Sequence, residues 1–330
     1  MKVSVVIPVF NAENYLAACL NSVLNQTLQD FEVIVVDDCS TDNSVAIAEN
    51  YLEKFGGRLK IIALEENTGS GAVPRNEGLK FSRGEYVFFM DSDDLLVNNA
   101  LEILYAFAEK FRADVVHMEQ GFICDEKTSQ NLTKVSWTPL EFVRDEIALE
   151  NDNVAERLEI FMNKGYGVTP WTKLLRRDFL IANKIDFPRV KISEDVLWSF
   201  KVVCLAKKFL RIPNPLYIYR SVENSWSRIK REPADEIKFW LDPLVKGLDY
   251  LEKFIDNLEF FTQNPNYRFD VINFFVKMQI AGMLDALKNL NRYQLYQIIN
   301  EAFSDSKYAP LIAYLFVVMN FYRDKFLEVK

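Results

Sequence analysis

Short apolar runs alternate with helical stretches along the first hundred residues. Val3 to Val9 is an apolar run that opens into Phe10-Asn11-Ala12-Glu13. A helical pattern over about residues 14–24 follows, with Leu16, Leu20, Val23 and Leu24 on one face. Residues 31–36 form a second β-branched run followed by a helical pattern over 45–55, and residues 59–64 form a third, followed by a polar, glycine-bearing loop over 65–71. Pro74 opens another helix, and residues 86–90 are a fourth apolar run. Strand and helix in alternation predict a parallel, doubly wound α/β sheet. Beyond about Arg231 the pattern becomes helical and aromatic, with amphipathic stretches near 237–261, 269–290 and 293–303.

Two of the apolar runs end in carboxylates. Met90 is followed by Asp91-Ser92-Asp93-Asp94, and Val36 by Asp37-Asp38-Cys39-Ser40-Thr41-Asp42. Like charges drawn out of water repel, so such a cluster needs a proton, a basic partner or a metal ion. Asp-x-Asp offers hard oxygen ligands that favour Mg²⁺ or Mn²⁺ over zinc, and those ions take one or two carboxylates plus substrate phosphates. Open α/β sheets bind ligands just beyond the carboxyl ends of their strands. A solvated loop with Asp capping the next helix is the alternative for either cluster.

Four stretches in order, Val5-Val6-Ile7-Pro8-Val9-Phe10-Asn11-Ala12-Glu13, Val35-Val36-Asp37-Asp38-Cys39-Ser40-Thr41-Asp42, Pro74-Arg75-Asn76-Glu77-Gly78 and Asp91-Ser92-Asp93-Asp94, resemble the successive motifs of family 2 glycosyltransferases with the GT-A fold. The resemblance continues through Trp171-Thr172-Lys173-Leu174, Ile192-Ser193-Glu194-Asp195-Val196-Leu197-Trp198, Tyr217-Ile218-Tyr219-Arg220 and Ser225, as in bacterial enzymes that assemble surface polysaccharides, and fades after about Arg231. Phe10 stands where the first motif commonly has tyrosine, and Cys39 where the second usually has glycine.

The resemblance implies a metal-dependent, inverting transfer of a sugar from a UDP-type nucleotide sugar to a hydroxyl of a glycan or lipid-linked glycan. It places Pro8, Val9, Phe10 and Glu13 at the base and ribose, and Arg75 near the nucleotide or its phosphates. Asp38 would accept a hydrogen bond from a uracil-like ring, Asp91 would approach the ribose, and Asp93 would ligate the Mn²⁺ or Mg²⁺ that bridges the diphosphate. Asp195 becomes the base that takes the acceptor's proton, with Glu194 its neighbour or an acceptor ligand. Trp171, Lys173, Arg176 and Arg220 are the expected acceptor contacts, through ring stacking and phosphate or polar binding, and Asn224 and Ser225 an expected loop over the donor phosphates.

Plainer structural readings stand beside these. Glu13 suits a helix N-terminus, Phe10 the core, Arg75 a surface helix position, and Glu194-Asp195 the first turn of a helix over 196–206. Helix capping is taken as the main role of Ser40, Thr41 and Asp42, and a ligand role for Asp38 and Asp93. His117, the only histidine, follows Val115-Val116 and reads as core or strand end, and Trp198 as core.

Composition narrows the class. At 330 residues and 49% hydrophobic the chain can bury a large core. Residues 1–120 read as a nucleotide-sugar-binding half, 121–230 as an acceptor half and 231–330 as a helical region. A net charge of −8 argues against nucleic acid, which needs a basic face. Four scattered cysteines form no Cys-x-x-Cys pair, and the first strand begins without a signal-peptide pattern, so a cytoplasmic place is expected. The apolar stretch within 310–326 is shorter than the about 20 residues a bilayer span takes. It fits a buried helix, a homodimer face, or a peripheral contact at the inner membrane face through Arg323, Lys325 and Lys330.

Other classes fit less well. A nucleotidyltransferase needs a glycine-rich, basic loop after its first strand, and residues 8–13 supply neither. Gly-x-Gly-x-x-Gly is absent there as well. A catalytically degenerate sugar-nucleotide binder would have lost motif carboxylates, whereas Asp38, Asp91, Asp93, Glu194 and Asp195 are all present.

Overall fold

The computed structural model describes residues 1–125, 131–222, 229–308 and 311–327; Asn224, Ser225 and Lys330 lie outside them. The strands, in chain order, are β1 (Val3–Val9), β2 (Phe31–Asp37), β3 (Leu59–Ala63), β4 (Tyr86–Phe89), β5 (Leu95–Leu96) and β6 (Val115–Met118). They continue with β7 (Gln120–Asp125), β8 (Thr133–Ser136), β9 (Ala148–Leu149), β10 (Lys173–Arg176), β11 (Phe209–Ile212) and β12 (Tyr217–Ser221).

Eight strands form the central sheet in the order β3-β2-β1-β4-β10-β6-β11-β9. β3, β2, β1 and β4 are parallel; β10 runs against both β4 and β6, and β9 against β11. The mostly parallel α/β class expected from the alternating pattern is therefore present. β1 and β2 are buried along both faces, as a parallel strand under two layers of helix must be. Val3, Val5, Ile7 and Val9 share one core with Leu16, Leu20 and Val23 of the helix Leu16–Leu24 and with Leu101 and Leu104 of the helix Ala100–Phe111. On the other face the helix Ala72–Phe81 crosses Val6. A Cβ on Gly78 would lie only 2.2 Å from the Val6 side chain, so glycine is what permits that approach. A smaller sheet, β5-β12-β7-β8, carries the end of β12.

Packing divides the chain into two units. Residues 1–187 and 198–223 form one, and residues 188–197 and 224–330 the other. Residues 1–120 and 121–187 thus pack together, and the short segment 188–197 joins the C-terminal helices. The helix expected over 237–261 is broken into Pro233–Asp242, Leu248–Asp256 and Glu259–Gln263. Pro243 cannot donate the hydrogen bond a regular helix needs, and one wider turn over Pro243–Gly247 absorbs the defect. Pro265–Gly282, Leu284–Leu287, Arg292–Phe303 and Leu311–Leu327 complete the unit. The third of these starts with a capping box between Asn291 and Gln294. Among the described residues no helix is long and apolar enough to cross a membrane.

The helix expected over 45–55 is also shorter, Ser44–Glu49. Beyond it the backbone tightens into bonds such as Tyr51 N–H to Ala48 and Leu52 N–H to Glu49. Those turns bury Tyr51 and Phe55 together.

Candidate active site

The carboxyl ends of β1, β2 and β4 lie side by side, and their loops are laced together before any ligand is considered. Asn11 N–H donates to Ser40 Oγ at 3.0 Å, and Thr41 N–H donates back to Asn11 Oδ1 at 2.8 Å. Glu13 N–H donates to Asp42 Oδ2 at 2.9 Å, while the Asn43 side chain donates to Glu13 Oε2 at 2.8 Å. Glu13, expected near the ribose, thus braces the second loop. Asp42 Oδ1 accepts from Ser44 N–H at 2.9 Å, one residue ahead of the helix N-cap Asn43, which has no side-chain capping bond of its own. Ser40 instead serves the first loop. Pro8 is half-buried, Val9 buried, and Phe10 exposed rather than core.

Cys39 sits at φ 62°, in the left-handed region where a Cβ is unfavourable. That conformation accounts for glycine being usual at this point of the motif; the turn is kept here with a cysteine.

Asp38 is buried at the end of β2. Its Oδ1 accepts from Thr68 N–H at 3.0 Å, and Asn67 Nδ2 donates to its backbone oxygen at 3.0 Å. Burial pushes the Asp38 carboxyl up, with the Thr68 hydrogen bonds opposing. Asn67 and Thr68 were not identified from sequence beyond their membership of the polar loop 65–71.

At the end of β4, Arg75 from the helix Ala72–Phe81 donates through Nη2 to Asp91 Oδ1 at 2.8 Å, with the guanidinium largely buried. The packing is close, since a Cβ on Gly71 would fall 2.5 Å from Nη1. Asp93 is half-buried. Asp94, the last of the run, is wholly buried and turns inward: it accepts from Tyr217 Oη at 2.7 Å and from Arg220 N–H at 2.7 Å. Tyr217 Oη in turn accepts from Asp91 N–H at 3.3 Å. This relay ties the acidic loop to β12. Burial, and then the neighbouring Asp93 and Asp91, push the Asp94 carboxyl well up. The Arg220 side chain is buried beside the same cluster. Its Nε and Nη2 have no hydrogen-bond partner among the described residues.

Two expected acceptor residues are interior. Trp171 lies stacked on Tyr217 with ring centres 4.6 Å apart and edge-on to Trp137, in the core cluster. Lys173 is fully buried, with Nζ donating to Gly167 O, to Thr169 O at 3.0 Å and to Thr172 Oγ1 at 2.9 Å. Both are buried: Lys173 starts β10, which lies between β4 and β6, and Trp171 sits in the turn Pro170–Thr172 just before it, packed into the core. Arg176 is likewise engaged with the Arg112 and Ala113 carbonyls. His117 is fully buried, and burial, followed by Lys173 and Arg211, pushes its pKa well down, so it is a neutral core imidazole. Trp198 stacks on Phe187 at 4.6 Å in the interior.

Glu194 and Asp195 open the helix Glu194–Leu205, within the second unit, and both are half-buried. Asp195 Oδ1 accepts from Val196 N–H at 2.8 Å.

Among the described residues no three His, Cys, Asp or Glu side chains gather into a metal-binding group. Asp91 Oδ1 pairs with Arg75, and Asp93, half-buried in the same loop, is the carboxylate there that could ligate a cation. A donor set this small does not suit zinc. It fits Mg²⁺ or Mn²⁺ completed by substrate phosphates.

A mostly parallel α/β sheet with carboxylates and arginine at its strand ends, followed by a helical C-terminal region, is the architecture of the GT-A glycosyltransferase fold. The chain belongs to that class and, within it, to glycosyl transferase family 2, whose model matches residues 4–180, more than half its length. It is 34% identical over 211 residues to the poly(ribitol-phosphate) beta-N-acetylglucosaminyltransferase TarP of Staphylococcus aureus, covering 63% of this chain and 59% of TarP. The chain therefore spans less than two thirds of that relative. S. aureus TarS 1–349, solved with UDP-GlcNAc, superposes over all of this chain and 93% of its own at a TM-score of 0.62 and 26% identity. A mannosyltransferase of Pyrobaculum calidifontis, solved with GDP-Man and Mn²⁺, shares the fold at a TM-score of 0.52 and 16% identity, covering 98% of this chain and 86% of its own.

Proposed function

We propose that the protein transfers a sugar from a UDP-sugar to a hydroxyl of a phosphate-containing or lipid-linked glycan, in the assembly of a cell-envelope polymer. The observation that carries this reading is the gathering of Asp38, Arg75, Asp91 and Asp93 at one sheet edge, with the buried Arg220 guanidinium beside the acidic loop. The names of TarP and TarS, and the UDP-GlcNAc bound to TarS, favour a UDP donor and a polyol-phosphate acceptor.

In this reading Asp38 accepts the ring N–H of uracil, Asp91 meets the ribose, and Arg75 keeps Asp91 in place while adding positive charge near the phosphates. Pro8, Val9 and Phe10 border the base. Asp93 would hold Mg²⁺ or Mn²⁺, which when bound neutralises the charge that builds on the leaving diphosphate. The unspent N–H groups of Arg220 suit a phosphate oxygen. Asp195 takes the proton of the acceptor hydroxyl as its oxygen bonds to the anomeric carbon and the bond to the diphosphate breaks. UDP leaves and the anomeric centre inverts in one displacement.

Titration calorimetry with UDP tests the donor half directly. Binding in Mn²⁺ should exceed binding in EDTA by at least about tenfold, and Asp93→Asn should erase that difference without a change in melting temperature. Equal affinity in the two buffers would overturn the metal-bridged reading. A thermal-shift panel of UDP- and GDP-sugars identifies the nucleotide, and a preference for GDP would reject the uracil role of Asp38.

A further inference from the structure

The residue before the acidic pair has an unusual backbone. Ser193 lies at φ 63°, a left-handed conformation unfavourable for any residue with a Cβ. It is buried, and its hydroxyl donates to Gln279 Oε1 at 3.1 Å. Gln279 belongs to the helix Pro265–Gly282 and is completely buried. The Ser193 carbonyl then accepts from Leu197 N–H in the first turn of the helix that bears Glu194 and Asp195. A second anchor lies two residues upstream, where Lys191 N–H donates to Asp242 Oδ2 at 2.9 Å. Both anchors come from the C-terminal unit, to which residues 188–197 belong.

A fully buried glutamine is costly at a helix position that leucine or methionine could fill. The cost is higher here because Gln279 Nε2 has no partner among the described residues. What the glutamine supplies is the bond to Ser193. We infer that Gln279 is a positioning residue: it holds Ser193 in the left-handed turn that sets the direction of Glu194 and Asp195. This rests on the reading of Asp195 as the base.

The test compares Gln279→Leu, Ser193→Ala and the double variant Gln279→Leu/Ser193→Gly in the full chain. Transfer from UDP-GlcNAc to a synthetic ribitol-phosphate oligomer is measured together with UDP affinity and hydrogen exchange of the amides over residues 190–197. Each single variant should lose about tenfold or more in kcat with UDP affinity unchanged, and its turn amides should exchange faster. Glycine adopts positive φ without help, so the double variant should recover kcat to within about threefold of the parent and regain protection. A purely structural role for Gln279 would not be rescued by glycine at 193. Full kcat and unchanged exchange in both single variants, or a loss that glycine does not repair, overturns the inference. Ser193→Ala asks the same question from the turn side if Gln279→Leu does not fold. Asp195→Asn, run in parallel, separates the two readings: an active Asp195→Asn rejects the base itself. An inactive Asp195→Asn beside a fully active Gln279→Leu rejects only the positioning.

Discussion

The strand ends that carry Asp38, Asp91 and Asp93, the carboxylates proposed for the donor, and the turn that carries the acidic pair Glu194-Asp195 are held by different means. At the strand ends the loops brace one another reciprocally through Asn11, Glu13, Ser40 and Asp42, while Arg75, Tyr217 and Asp94 fasten the acidic loop from below. Several bonds share the bracing there. The turn before Glu194 contains a left-handed serine that donates to Gln279, and Lys191 N–H just upstream donates to the Asp242 carboxylate. Reciprocal bracing suits the fixed diphosphate pose that the proposed function asks for. The turn takes anchors from two helices of the C-terminal unit, Pro233–Asp242 and Pro265–Gly282.

The comparison is broken most severely at Asp195. Asp195→Asn keeps the shape and remains a good helix cap, so if the residue is the base, transfer should fall by about 10² or more while UDP affinity and stability hold. Near-normal turnover in that variant would remove any functional contrast between the two regions.

Tyr217→Phe probes redundancy at the strand ends. It leaves the ring stacked on Trp171 but strips one partner from buried Asp94 and one from Asp91 N–H. We expect a stability loss of about 1–3 kcal/mol, with UDP affinity changed by less than about tenfold. A collapse of UDP binding, read by calorimetry, would show that the bracing is not redundant.

Acid sensitivity sharpens the same point away from the site. Glu32 is buried and accepts from Ser4 Oγ and from the Arg83 side chain and N–H. Burial opposes its ionisation, yet these hydrogen bonds hold its pKa below the usual carboxylate value. A folded pKa below the unfolded one contributes stability at neutral pH and loses it as pH falls through the folded value. Glu32→Gln should therefore lose melting temperature less steeply than the parent between about pH 5 and pH 3. Parallel pH profiles for the two proteins would contradict this.

The smallest effect is expected at Cys39. Cys39→Gly relieves the positive φ but loosens the unfolded chain, for a net stabilisation of up to about 1 kcal/mol. A lower melting temperature would assign the thiol a packing role in the turn.

Much of the first unit was legible in the chain itself. Apolar runs with helical segments between them specify parallel strands, and an abrupt change from β-branched residues to Asp at 37–38 and 91–94 marks where those strands end. Local pattern was enough because these features lie within a few residues of one another. Other features were not legible. Trp171 and Lys173 look like surface binding groups in sequence, but Lys173 begins the interior strand β10 with its ammonium satisfied by the chain, and Trp171, in the turn before it, stacks on Tyr217 in the core. Asp94 carried no role of its own in the sequence, and it bonds Tyr217 and Arg220, more than a hundred residues away. Ser193 and Gln279 are 86 residues apart, and although Ser193 stands beside the acidic pair of its motif, no local pattern links it to Gln279. The sequence by itself determined the class of sheet and the order of its acidic strand ends, since these follow from side-chain period and local composition. Only the tertiary structure decided which carboxylate turns inward, which cations are already engaged, and which helix holds the turn before Asp195. Each of those outcomes depends on partners brought together by folding over distances that no local pattern encodes.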